Sequence, residues 1–299
     1  MDANYLASII NSTIRSTTPV LLAALGSAIC SQVGVFNIAL EGQMLIASFT
    51  AIIVNYFTGS VALAVFAGVL SGALIGAIVA VLQVKYEAAD MVIGTSINLL
   101  VTGLTSILLF VLLGVKGSFS NPKLIPLKKI TLPIINKIPF VGRVMEGLTI
   151  IDYLSYLIAI LIFIYLYKTV SGFRVLSIGI NKEAAESLGV KAIRTRMLVV
   201  IMSGALCGLG GTVLSMGQVT LFTENMTAGR GFIAMAAGGM AQNHPLFVIF
   251  SSLFFGAAQA LGVALQNVVP SQLTMSIPYI ATILALAVFS KKRKKQIIK

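Results

Sequence analysis

The sequence predicts an all-α protein: a polytopic transmembrane helical bundle of nine or ten spans, with a short helix on its cytoplasmic side. Three observations carry this. The 299 residues are 58% hydrophobic and only 10% charged, against about 25% charged in ordinary soluble domains, which leaves too little polar surface to cover a water-facing shell. Residues 16–40, 43–84, 91–115, 197–223 and 231–290 contain no Asp, Glu, Lys or Arg, and about 20 apolar residues suffice to cross the hydrocarbon core as a helix. These runs also lack the strict apolar–polar alternation of a membrane β-barrel. Residues 1–299 therefore read as one membrane domain.

Taken in order, residues 3–16 are semi-polar, either an interfacial helix or part of a first span. Apolar spans follow near 17–33, 36–58, 60–84 and 91–114. A Pro- and Lys-rich stretch, 116–149, lies between membrane segments. A span near 150–168 leads into a charged segment, 169–196, and another span follows near 197–216. A polar break at 217–230 precedes a short Gly-rich segment, 228–241, and His244-Pro245 marks a turn. The last spans are near 246–266 and 272–290, and a basic tail, 291–299, ends the sequence. Gly68, Gly72 and Gly76 recur every four residues, as do Gly204 and Gly208, and such small faces let membrane helices approach closely. Cys30 and Cys207 sit inside apolar runs as small buried hydrophobes, with no disulfide framework or metal spacing. No basic n-region with a cleavage site opens the sequence, so no removed signal peptide is expected.

Lys and Arg placement sets the orientation. The tail holds six basic residues and 168–196 holds six more, which puts both in the cytoplasm and requires the short 228–241 segment to help cross. Counting back places 116–149 outside and the 85–90 turn inside. The 116–149 loop itself carries six basic residues against one acid, Glu146, which runs against the charge rule. It is either a docking face for an acidic extracellular partner or a solvated loop near anionic lipid or wall polymer.

Polar residues inside the membrane are costly, so they are candidates for function. Asn37, Glu41 and Gln43 lie in the block Gly34 to Gln43. Asn37 and Glu41 are four apart and share a face if that block is helical. Alternatively the block is a turn with Glu41 wet, and Gly34 and Gly42 suit a turn or a broken helix, which is tolerated only where protein or a water-filled cavity covers it. Asn98, in the fourth clear span, is either helix–helix glue or a ligand group. Gln218, Glu224 and Arg230 surround the polar break, and Glu224 and Arg230 are close enough in sequence to pair. No phosphate loop, H-E-x-x-H or G-x-S-x-G pattern occurs.

The segment 169–196 is the most informative. Asn181 is placed to cap a helix starting at Lys182, with Glu183 in its first turn. Ala184 and Ala185 keep that helix narrow, and Gly189 can end it. A stubby helix of this kind suits a groove on another protein, or it is an ordinary loop between spans.

The run Gly179-Ile180-Asn181-Lys182-Glu183-Ala184-Ala185-Glu186-Ser187-Leu188-Gly189 resembles the Gly-x-Asn-x-x-Ala-Ala-x-x-x-Gly coupling-helix motif of ABC-importer permeases in the branched-chain amino acid, ribose and nucleoside group. Gly34 to Gln43 resembles that group's Gly-x-x-Asn-Ile-x-x-Glu-Gly-Gln block, whose Glu-Gly-Gln is typical of the nucleoside branch. Ser203 to Gly211 looks like its small-residue span, and Gly229-Arg230-Gly231-Phe232-Ile233-Ala234 like its Gly-x-Gly-Phe block. The chain departs from the group at Ala234 to Met240 and at Asn243-His244-Pro245.

The resemblance implies the transmembrane permease subunit of an ATP-driven ABC importer in a bacterial cell membrane, nearest to nucleoside permeases of the guanosine type. Branched-chain amino acid or ribose transport is the alternative within the group. An ion-coupled secondary transporter is the alternative outside it, and the absence of ionisable groups in 231–290 counts against that. The resemblance further implies a separate ABC ATPase carrying ATP and Mg, a second and non-identical permease subunit, and an extracytoplasmic solute-binding protein. No catalytic site, cofactor, metal or nucleic acid is expected of this chain itself, only partners and membrane lipid. Asn37, Glu41, Gln43, Asn98, Glu224 and Arg230 become candidate path residues. Gly179, Asn181, Glu183, Ala184, Ala185 and Gly189 become candidate ATPase-coupling residues.

Overall fold

The computed structural model describes residues 3–130, 139–266 and 280. Eleven α-helices run in order among them: α1 (Ala3–Gln32), α2 (Leu40–Thr58), α3 (Val61–Ala80), α4 (Asp90–Leu113), α5 (Pro139–Val144), α6 (Ile150–Lys168), α7 (Val170–Ile180), α8 (Lys182–Ser187), α9 (Ala192–Thr212), α10 (Arg230–Met240) and α11 (Pro245–Leu265). π-helical turns extend α3 through Val81–Lys85 and α9 through Val213–Val219. Seven of these helices are long and apolar enough to cross a membrane. The expected span at 272–290 and the basic tail at 291–299 lie outside the described residues.

Of the two N-terminal expectations the second holds: residues 3–16 are not an interfacial helix but part of the first span, the first half of one 30-residue helix. Pro19 sits inside α1 and has no N–H to give the carbonyl four residues back. That carbonyl, on Arg15, instead accepts the Gln218 side-chain amide at 2.9 Å. Thr13 and Thr17 add hydroxyl bonds to the carbonyls of Ile9 and Thr13. The helix thus survives its proline because the one carbonyl it frees finds a partner in Gln218.

Two ends of the bundle can be told apart by their contacts. At one end Asn11 bonds the carbonyls of Val144 and Glu146, Asn55 bonds Ile125, and Ser118–Phe119 pairs antiparallel with Phe222–Thr223. At the other, Gln32 bonds the Asn243 carbonyl, Arg196 bonds the Gly34 carbonyl, and Lys182 meets Glu87 at 3.4 Å. The basic stretch after α4 and the segment holding α7 and α8 therefore occupy opposite ends.

The two glycine rows mate. A Cβ on Gly72 would come within 2.5 Å of the Gly204 carbonyl oxygen and 2.7 Å of the Gly208 Cα. Gly76 lies against Gly204, and Gly208 against the Gly68 carbonyl. With no hydrophobic drive between helices in lipid, close backbone packing holds α3 to α9. α1 and α2 are the most enclosed spans, and α4 and α6 face outward over most of their length.

Candidate functional site

Two crossings in this bundle are interrupted, and the candidate polar residues gather where they meet. The first interruption is the non-helical run Gly34–Ala39, which enters from the Gln32 end before α2 begins. Backbone without a helix needs other partners; Gly34 and Val35 N–H reach back to the Ser31 and Cys30 carbonyls, and side chains serve the groups that follow. Asp90 accepts from Phe36 N–H at 3.1 Å. Asn37 Oδ1 accepts from Ala39 N–H at 3.0 Å. Asn98 donates to the Ile38 carbonyl at 3.0 Å and accepts from Gly42 N–H at 2.8 Å.

The second interruption is residues 220–229. The chain leaves α9 at the end where Phe222 pairs with Phe119 and reaches the opposite end at Asn243, yet only Arg230–Met240 of that crossing is helical. Thr220, Asn225, Ala228 and Gly229 take positive φ angles, of 51°, 55°, 45° and 77°. The half-helix α10 therefore starts inside the bundle, and its first N–H groups need acceptors. Glu41 supplies both: Oε1 accepts from Gly229 N–H at 2.7 Å and Oε2 from Gly231 N–H at 2.6 Å. A carboxylate on a helix N-terminus meets the positive end of the helix dipole through charge-assisted bonds.

Several expectations change as a result. Asn37 and Glu41 do not share a helical face, because Asn37 precedes α2. Glu41 is not a wet turn residue, being only 8% exposed. Asn98 is glue, but for backbone rather than for a second side chain. In place of a Glu224–Arg230 pair, Glu224 accepts from Gly117 N–H at 3.0 Å, and Arg230 donates to the carbonyls of Met226 and Thr227 at 3.2 Å. Asn37, Glu41, Gln43 and Asn98 come together; Glu224 lies apart with the short sheet. Asn37 also donates to Gln43 at 3.3 Å and to Ser203 at 3.2 Å. The Gln43 amide nitrogen is buried with no hydrogen-bond acceptor among the described residues. Sequence reasoning missed Ser203, Asp90 and Arg196. Pro19 was the legible clue for Gln218, since a proline inside an apolar span demands a donor from elsewhere.

The α7–α8 segment matches its local expectations. Asn181 caps α8, accepting from Ala184 N–H at 3.0 Å, and the chain turns at Gly189 with φ of 82°. Gly179 lies against the Gln32 carbonyl of α1, where a side chain would collide with backbone. The alanine pair divides: Ala184 is exposed, while Ala185 is buried against Ile178 and Ala192. The outward face of the segment carries Ile180 and Leu188, 87% and 85% exposed, beside Ala184 and Glu183. His244 precedes Pro245 at the start of α11, and its ring packs among Phe163, Tyr167 and Phe247.

Residues 9–287 match the model of a family described as the permease component of the branched-chain amino acid transport system. The chain is 33% identical over 296 residues to the guanosine ABC transporter permease protein NupQ of Bacillus subtilis, covering 95% of this chain and 92% of that one. It is 31% identical to the nucleoside ABC transporter permease protein NupC of Lactococcus lactis, covering 97% and 94%. It is 29% identical to a putative glucose ABC transporter permease protein, TsgC13, of Haloferax volcanii, covering 88% and 79%. No solved structure matches it. With most of its length in the family model and seven helices among the described residues long and apolar enough to cross a membrane, the chain is a multi-pass membrane protein that belongs to the family of branched-chain amino acid transport system permeases.

Proposed function

We propose that this chain is a transmembrane subunit of an ATP-driven importer of nucleosides. The near full-length likeness to permeases named for guanosine and nucleosides carries the substrate class. The geometry supplies a mechanism. Interrupted helices at the bundle centre are where transporters place polar groups beside a substrate route. A nucleoside is neutral and rich in donors and acceptors, and the buried amides of Gln43 and Asn37 suit it. Glu41 and Asn98 hold the backbone beside them, and Arg230 follows at the head of α10. Glu224 stands at the outer mouth.

The end bearing α7 and α8 is cytoplasmic on this reading, and the basic stretch 116–149 is extracytoplasmic. Among the described residues the chain then crosses eight times, by the seven long helices and by the 220–243 passage. Ile180, Ala184 and Leu188 form the face that meets a separate ATPase, whose closure on ATP and Mg tilts the bundle between inward and outward access. Gly179, Asn181, Glu183, Ala185 and Gly189 hold that face in place. A solute-binding protein delivers substrate outside, and a non-identical second permease completes the pore, as relatives that occur in pairs of different chains suggest.

Two measurements test this. Membranes holding the assembled complex are expected to take up labelled guanosine or another nucleoside on adding ATP, with glucose, ribose and branched-chain amino acids failing to compete. Competition by a sugar or an amino acid instead would overturn the substrate class. Sidedness is checked in a background lacking Cys30 and Cys207, with a single cysteine at Lys123 or at Lys182. An impermeant thiol reagent is expected to label the two from opposite faces, and labelling from one face refutes the topology.

A further inference from the structure

We infer that Glu41 is a positioning residue that latches the half-helix α10, and that it does not touch the substrate. The inference rests on the transport reading only for its kinetic signature. Both carboxylate oxygens are already engaged, at 2.7 and 2.6 Å, by the N–H groups of Gly229 and Gly231. The approach is close enough that α10 cannot shift without breaking the contact. A Cβ on Gly231 would sit 2.5 Å from Glu41 N, 2.7 Å from its Cα and 2.8 Å from Oε2. The neighbouring residue is held from the other side, because Gly42 N–H donates to Asn98 of α4. Glu41-Gly42 is thus a hub that ties α4, α2 and α10 at the point where both interrupted crossings meet.

Each oxygen keeps a further lone pair, but the side chain is only 8% exposed and the Gly231 backbone packs against it, so little of the carboxylate is open to a substrate group. A latch instead has to hold α10 in register while other groups bind substrate. The two roles leave different traces. A lost ligand group weakens binding, whereas a lost latch slows the cycle and leaves binding intact.

In the assembled complex, Glu41→Gln is expected to lower the maximal uptake rate by at least about tenfold, the rate equivalent of about 1.4 kcal/mol, with KM little changed. Gly231→Ala leaves every candidate ligand in place, yet it is expected to give the same signature. The double variant is expected to be no worse than the poorer single, because both break one contact. Hydrogen exchange at residues 229–233 supplies a readout that needs no substrate. Exchange there is expected to speed up in Glu41→Gln while α3 and α9 stay protected. A raised KM with an unchanged maximal rate, multiplying effects in the double variant, or unchanged exchange at 229–233 would each overturn the latch. If the wild-type complex imports no nucleoside but exchange still responds, the latch stands and the transport reading fails.

Discussion

Gly72→Leu is expected to remove nearly all folded protein from the membrane. The first added carbon already lies 2.5 Å from the Gly204 carbonyl oxygen and 2.7 Å from the Gly208 Cα. Both are backbone atoms of α9, so no side chain can swing aside, and α3 and α9 must separate. Overpacking a well-filled interior costs about 1–3 kcal/mol where neighbours can adjust, and more where they cannot. Separation also strips Gly76 and Gly68 of their contacts along the same seam. Against a total stability of about 5–15 kcal/mol for a typical domain, a backbone clash that opens the whole seam removes a large share of the margin. Gly103 is the control. It lies on the outward face of α4 with nothing within 4 Å of an added Cβ, so Gly103→Leu is expected to accumulate normally. The check is the yield of detergent-extracted protein and its melting temperature. A Gly72→Leu protein that melts with the wild type would show that the α3–α9 seam does not hold the bundle.

Ala184→Trp and Ala185→Trp are expected to fail in opposite ways, although the residues are adjacent. Ala184 is exposed on α8, beside Ile180 and Leu188. An indole there disturbs nothing within this chain, so extraction yield and melting temperature are expected to hold. On the proposed docking of this face into a partner groove, ATP-driven uptake is expected to fall by at least about tenfold, because a groove that takes a methyl group has no room for the ring. Ala185 faces inward against Ile178 and Ala192. Trp at that position has to force α8 away from α7 and α9, so stability is expected to fall by about 1–3 kcal/mol before any partner is involved. Measuring the melting temperature of the isolated subunit beside ATPase co-purification and uptake separates the two. Full uptake by Ala184→Trp would refute docking through this face. A sequence-only reading treats both alanines as groove-facing; the burial of Ala185 assigns it to the chain's own packing.

Much of this architecture was legible because membrane insertion is governed by local quantities. A long, strongly apolar run is favoured as a helix in lipid, so the second half of α1 and the spans α2 to α4, α6, α9 and α11 could be read from the sequence, although the breaks inside such runs could not. Caps are equally local, and Asn181 and the turn at Gly189 followed from residue type and spacing alone. The small faces of Gly68, Gly72 and Gly76 and of Gly204 and Gly208 were also visible, but not that each was made for the other.

The tertiary structure decided what each polar group is for, and the reason is physical. Inside a bilayer every backbone N–H and C=O needs a partner, and where the helix is broken that partner comes from a nearby side chain or backbone group or from a distant element. Asn37 and Glu41 look alike in sequence, two polar residues four apart. One satisfies the backbone of a non-helical entry, and the other neutralises the start of a half-helix that lies 188 residues on. Hydropathy shows that such groups are costly to bury. Which distant amides and carbonyls repay that cost is settled only when α2, α4, α9 and α10 come together.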